Sequence, residues 1–107
     1  MSSTVMKLSV VVPTSKHVAI RDLQRIPGVG RQIAEDLWSL GYQSVESLCG
    51  ENPDSMYEAL CRQSNMVIDR CMLYVFRCAV YFASNSRHDP ELLKWWRWKD
   101  RQKAANE

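Results

Sequence analysis

The chain has 107 residues with 46% hydrophobic and 24% charged side chains, so it is long enough for one small domain and too apolar for intrinsic disorder. Gly and Pro number four each, which excludes a collagen-like design, and the length leaves little room for a two-substrate enzyme. Net charge is only +2, but it is unevenly spread: residues 1–31 carry five bases and one acid, 32–61 six acids and no base, and 62–107 nine bases and five acids. If the two basic ends meet in space they form one basic face.

Residues 1–17 read as a mobile arm. Its short β-prone run, Leu8–Val12, is stopped by Pro13 and has no partner strand in view; a lone strand is the alternative. The same run is too short for a secretory h-region. From Val18 the pattern is helical, and Val18, Ile20, Leu23 and Ile26 outline a first helix that Pro27-Gly28-Val29-Gly30 ends. Ile33, Ala34, Leu37, Trp38 and Leu40 predict a second helix, closed by Gly41 at C′. Ser44 is placed to cap a short third helix, Val45–Cys49. Asn52-Pro53 is a cap followed by proline at the first helical position, opening a fourth helix that Gln63-Ser64-Asn65 breaks.

A fifth helix is predicted over about 67–84. It is apolar around most of its circumference except for one stripe, Arg70, Tyr74, Arg77, Tyr81 and Ser84, so it reads as a central pillar exposing one Arg/Tyr edge. Asp89-Pro90 repeats the cap signal and opens a sixth helix to about Lys103. Its Leu92, Leu93, Trp95, Trp96 and Trp98 spread over roughly 220° of a helical wheel, more than one core face covers. The expected architecture is all-α, with five to six short helices: a domain over 18–85 and a Trp-rich basic helix over 86–107 packed on it.

Chemistry concentrates in Asp22–Leu37, where two helices meet at a glycine-bracketed bend. The amides of Gly28, Gly30, Gln32 and Ile33 lack intrahelical acceptors, the dipole is positive there, and no acid occupies the first turn of the second helix. An anion, phosphate above all, suits that place, with Arg25 and Arg31 beside it. A plain turn between helices with no ligand is the competing reading. Arg70 and Arg77, together with Lys94, Arg97, Trp95, Trp96 and Trp98, are candidate auxiliary contacts to phosphates and unstacked bases, or a protein-binding surface. Cys49, Cys61, Cys71 and Cys78 show no C-x-x-C spacing, and His17 and His88 are isolated and expected in solvent. No Ser/His/Asp or Cys/His arrangement for catalysis is visible, so no enzyme, catalytic residue or metal ligand set of side chains is expected. The apolar segment 66–83 contains Asp69, Arg70 and Arg77, which argues against a membrane span, and reduced buried thiols suit a cytoplasmic protein.

Ile26-Pro27-Gly28-Val29-Gly30, followed by Ala34, Leu37, Leu40-Gly41-Tyr42 and Val45–Leu48, resembles the helix-hairpin-helix motif of DNA repair and recombination proteins. The resemblance implies sequence-independent binding of the DNA backbone. The amides of Gly28, Gly30, Gln32 and Ile33 would hold phosphate oxygens, and the carbonyls of Gln24, Ile26 and Val29 would hold a K+ or Na+ ion bridging to phosphate. Family members often pair two hairpins about a pseudo-twofold axis; the second turn here, near Ser64–Met66, has neither glycine nor proline. Over nearly the whole chain, Tyr57–Cys61, Asp69–Phe76 and Pro90–Trp96 resemble the short bacterial pathogenicity-locus proteins, some labelled mitomycin-resistance proteins. Weak, non-specific DNA binding is therefore the first functional expectation. A protein-interaction module that keeps the hairpin as scaffold, with partner binding or self-association through the C-terminal helix, is the second.

Overall fold

The computed structural model describes residues 15–100, and these are all-helical, with no strand among them. Four α-helices, α1 (Lys16–Leu23), α2 (Arg31–Ser39), α3 (Pro53–Ser64) and α4 (Cys71–Ser84), are joined by a 3-10 connector, Glu46–Leu48, and followed by two 3-10 turns, Pro90–Leu93 and Trp95–Trp98. The Leu8–Val12 run and residues 101–103 of the expected last helix lie outside the described residues.

Helix α1 starts two residues inside the expected arm, because the Ser15 hydroxyl accepts from the Val18 amide at 3.3 Å. It ends at Leu23, before Ile26, since the residue preceding Pro27 avoids the α region. Ala19, Ile20 and Leu23 form its buried face. Helix α2 buries Ala34 and Leu37 and stops at Gly41, whose φ is +103°. There the Tyr42 amide donates to the Leu37 carbonyl (3.1 Å) and the Gly41 amide to Trp38 (2.9 Å), the two bonds of a Schellman close.

The connector is shorter than the expected helix Val45–Cys49 and is 3-10 in geometry. Its N-cap is Val45 rather than the expected Ser44, which lies one residue earlier with its hydroxyl accepting from the Ser47 amide at 3.2 Å. Val45 and Leu48 enter the core, and the Gly50 amide donates to Ser84 Oγ at 2.9 Å, tying the connector to the far end of α4. The Asn52 side chain accepts from the amides of Asp54 (2.8 Å) and Ser55 (3.2 Å) ahead of Pro53, so α3 begins where the sequence places it. It ends at Asn65, which adopts the left-handed conformation at φ 59°.

Helix α4 begins at Cys71, four residues later than the sequence suggests. Residues 66–70 are held outside it by side chains. Tyr57 donates its hydroxyl to the Ile68 carbonyl, and the Asp69 carboxylate accepts from the Cys71 amide at 2.9 Å. Once formed, α4 is the central pillar: it packs on α3, on the connector and on both C-terminal turns, and it buries Leu73, Val75, Phe76, Cys78 and Ala79. Phe76 shares one core with Leu23, Ile26 and Val29 from the hairpin, Leu37 from α2 and Leu60 from α3.

The sixth helix does not form among the described residues. Asp89 caps Glu91 at 3.0 Å and Pro90 opens a turn, but Lys94 is extended (φ −95°, ψ 113°) and divides the segment. The Leu92 carbonyl, which a continuing helix would offer to a main-chain amide, takes the Trp98 indole N–H at 2.8 Å instead. Two short turns distribute the apolar side chains onto α4 and the hairpin, which a straight helix with a roughly 220° apolar arc cannot do.

Candidate functional site

Pro27 and Gly28 are the central residues of a tight turn from Ile26 to Val29, closed by the Val29 amide on the Ile26 carbonyl at 3.0 Å. Gly28 has φ +86°, the position of a type II turn that glycine serves best. Ile26 and Val29 point into the core, and fully buried Ala34 lets α1 and α2 close on them. Gly30, unlike Gly28, does not need the conformational freedom of glycine. Its φ of −91° is open to any residue, and a side chain there would meet nothing within 4 Å. Its contribution is a bare, exposed backbone at the cap of α2.

Among the described residues, the amides of Gly28, Gly30, Arg31, Gln32 and Ile33 have no acceptor; the first satisfied amide of α2 is that of Ala34, on Gly30 at 2.9 Å. Gly28, Gly30, Arg31 and Gln32 are exposed and Ile33 is half-buried. No carboxylate lies in the first turn. The bend thus presents consecutive free donors at the positive end of a helix dipole.

Its two arginines are already paired. Arg25 Nη1 lies 2.7 Å from Asp22 and Arg31 Nε 3.2 Å from Glu35. Asp22 organises the hairpin, its other oxygen accepting from the Val45 amide at 2.8 Å. Partial burial would raise the Asp22 pKa, but the Val45 amide and Arg25 outweigh it and hold the carboxyl below its ordinary value. The i, i+3 spacing to Arg25 was a legible signal; the bond to Val45 was not. Both arginines are largely exposed, so solvent screens these pairs and a phosphate can displace them. As for the carbonyls placed for a cation, Ile26 accepts from Val29, whereas Gln24 and Val29 accept no hydrogen bond among the described residues.

The middle of the Arg/Tyr stripe of α4, Tyr74, Arg77 and Tyr81, is half-buried, while its ends, Arg70 and Ser84, stay exposed. The C-terminal segment packs on it, with Asp100 as anchor: Arg70 Nε lies 2.6 Å and Arg77 3.0 Å from its carboxylate, and Tyr74 donates to it at 3.3 Å. Arg77 also donates to the Trp98 carbonyl at 2.8 Å, and the Tyr81 and Trp98 rings meet at 5.5 Å. Arg70 and Arg77 are therefore engaged internally. Lys94 and Arg97 both pair with Glu91, at 2.9 and 3.5 Å. The tryptophans separate: Trp98 lies on α4, Trp96 is 49% exposed, and Trp95 reaches the hairpin, where its Cδ1 would stand 3.1 Å from a Cβ at Gly28. The basic C-terminal segment and the hairpin thus meet through Trp95.

His88 is not in solvent, as its sequence position suggested. It stacks on Phe82 at 4.6 Å, with Nε2 2.9 Å from the Phe82 carbonyl. All four cysteines are free, and burial pushes the Cys78 thiol up to about 11. Among the described residues no cluster of three His, Cys, Asp or Glu could hold a metal, and no helix is long and apolar enough to cross a membrane. The family model Cdd1, described as a pathogenicity locus, matches residues 16–104. No curated protein and no solved structure matches the chain.

Proposed function

We propose that this chain, which belongs to the pathogenicity-locus family, is a sequence-independent DNA-binding module of helix-hairpin-helix type. The observation that carries the reading is the set of acceptor-free main-chain amides at Gly28 and from Gly30 to Ile33 on an exposed bend. Backbone donors there take one phosphate without reading a base, since phosphate contacts position a protein on DNA and carry no sequence information. Arg25 and Arg31 add charge once their carboxylate partners give way. A monovalent ion on the Gln24, Ile26 and Val29 carbonyls would strengthen the same contact. The motif's resemblance to repair and recombination proteins supports a role in DNA maintenance, with the cytoplasm as the proposed location.

The test uses Gly30→Val. The backbone at Gly30 accepts a side chain and nothing lies within 4 Å of the added Cβ, so the variant is expected to fold while its branched methyls crowd an approaching phosphate. DNA affinity is expected to fall at least tenfold with helicity kept; unchanged affinity would remove the hairpin from the mechanism. The second reading, a protein-interaction module, draws on a different observation: Met66 (58%), Val67 (92%) and Trp96 (49%) are large apolar side chains left exposed. A sedimentation series tests its self-association form, which a monomer at every concentration rules out.

A further inference from the structure

An open groove of about 320 Å³ runs beside the hairpin. Gly28 and Ile33 form one side and Trp95 lines it; Ile68, Met72 and Val75 make the rest apolar, with Asp69 and Cys71 completing it from the start of α4. The volume is at the lower end of small-ligand clefts, roughly 300–1,000 Å³, room for one flat heterocycle. Its charge is polarised. It is lined by Gly28 and Ile33, whose amides have no acceptor, and by the exposed Asp69, whose carboxylate accepts from the Cys71 amide at 2.9 Å and from the Cys71 thiol.

We infer that this groove receives one unpaired base of a DNA strand whose neighbouring phosphate lies on the hairpin amides, so that the protein prefers single-stranded or frayed DNA to intact duplex. The inference rests on the proposed function and names its substrate. A nucleotide has the polarity of the groove: an anionic phosphate at one end and, in cytosine, adenine and guanine, an amine-bearing edge at the other that a carboxylate accepts from. Asp69 repels a backbone laid across it, which fixes the direction of entry. Trp95 and the aliphatic walls suit a π-face, and base-on-aromatic stacking does not depend on sequence. Bases within a duplex have both faces covered and cannot enter without leaving the stack.

The experiment is fluorescence anisotropy on the full chain with labelled strands of about 12 nucleotides, within the range of single-strand site sizes: oligo-dC, oligo-dT, an abasic strand of equal length, and a blunt duplex. Oligo-dC is expected to bind about tenfold tighter than the abasic strand and tighter than oligo-dT. Cys71→Trp, which fills the groove from the first turn of α4, is expected to erase the dC-to-abasic ratio. Equal affinity of the unaltered protein for dC and abasic strands overturns the inference without depending on any variant folding, and so does a ratio that survives in folded Cys71→Trp. If those strands bind alike and Gly30→Val still weakens them, the groove fails and the phosphate reading stands. If no strand or duplex binds, both fall.

Discussion

Gly28 and Gly30 are two residues apart and serve different needs. Gly28 sits at φ +86° with Trp95 against its α-carbon, so Gly28→Ala adds the strain of a left-handed residue, about 1–2 kcal/mol, and pushes on the indole. Gly30→Ala meets neither obstacle and should cost under about 1 kcal/mol, the difference between glycine and alanine at a cap. Thermal melts of the two variants should separate clearly, and equal melting temperatures would show that the turn relaxes around the added methyl. Asn52 offers a second residue-scale check. Its side chain satisfies two amides of α3, so Asn52→Ala should lose about 1 kcal/mol by chemical denaturation.

At the scale of elements, the C-terminal segment is held less by its own secondary structure than by its grip on α4. Arg70, helped by Arg77, holds the Asp100 carboxyl down to about 2, against an ordinary 3.8. A depressed carboxyl pKa stabilises the folded form fully above the unfolded value, and that contribution disappears as pH falls from about 3.8 towards 2. Tryptophan emission, which reports Trp95 and Trp98 leaving their neighbours, should hold steady from neutrality to about pH 4 and shift below it. Asp100→Asn should loosen the segment already at neutral pH and remove that acid step. An unchanged acid transition in Asp100→Asn would assign the anchoring to the Trp98–Tyr81 packing alone.

For the whole molecule, the modest net charge and the paired arginines set the strength of any electrostatic contact. With two to four phosphates neutralised, log K should fall against log salt with a slope of roughly −2 to −4. A slope near zero would mean that DNA is not the partner. A much steeper slope would recruit Arg70, Arg77, Lys94 and Arg97, which requires the C-terminal segment to surrender its ion pairs with Asp100 and Glu91.

Two local caps, Asn52-Pro53 and Asp89-Pro90, and the helix-ending Gly41 act where their types and positions indicate, whereas the equally local Ser15 cap starts α1 inside the expected arm. Also legible were the apolar face of each helix, the central position of α4, and the bend with its unsatisfied amides, because these follow from residues within a few positions of one another. The extent of α4 was not, since the chain before Cys71 is fixed by Tyr57, eleven residues from the carbonyl it binds. Nor was the fate of the Arg/Tyr stripe, which depends on Asp100, thirty residues beyond Arg70. The groove beside Gly28 likewise needs Trp95 to fold back across most of the chain. Local hydrogen bonding and periodicity are written in the order of residues; which charges cancel, and which cleft stays open, are decided only when distant segments pack.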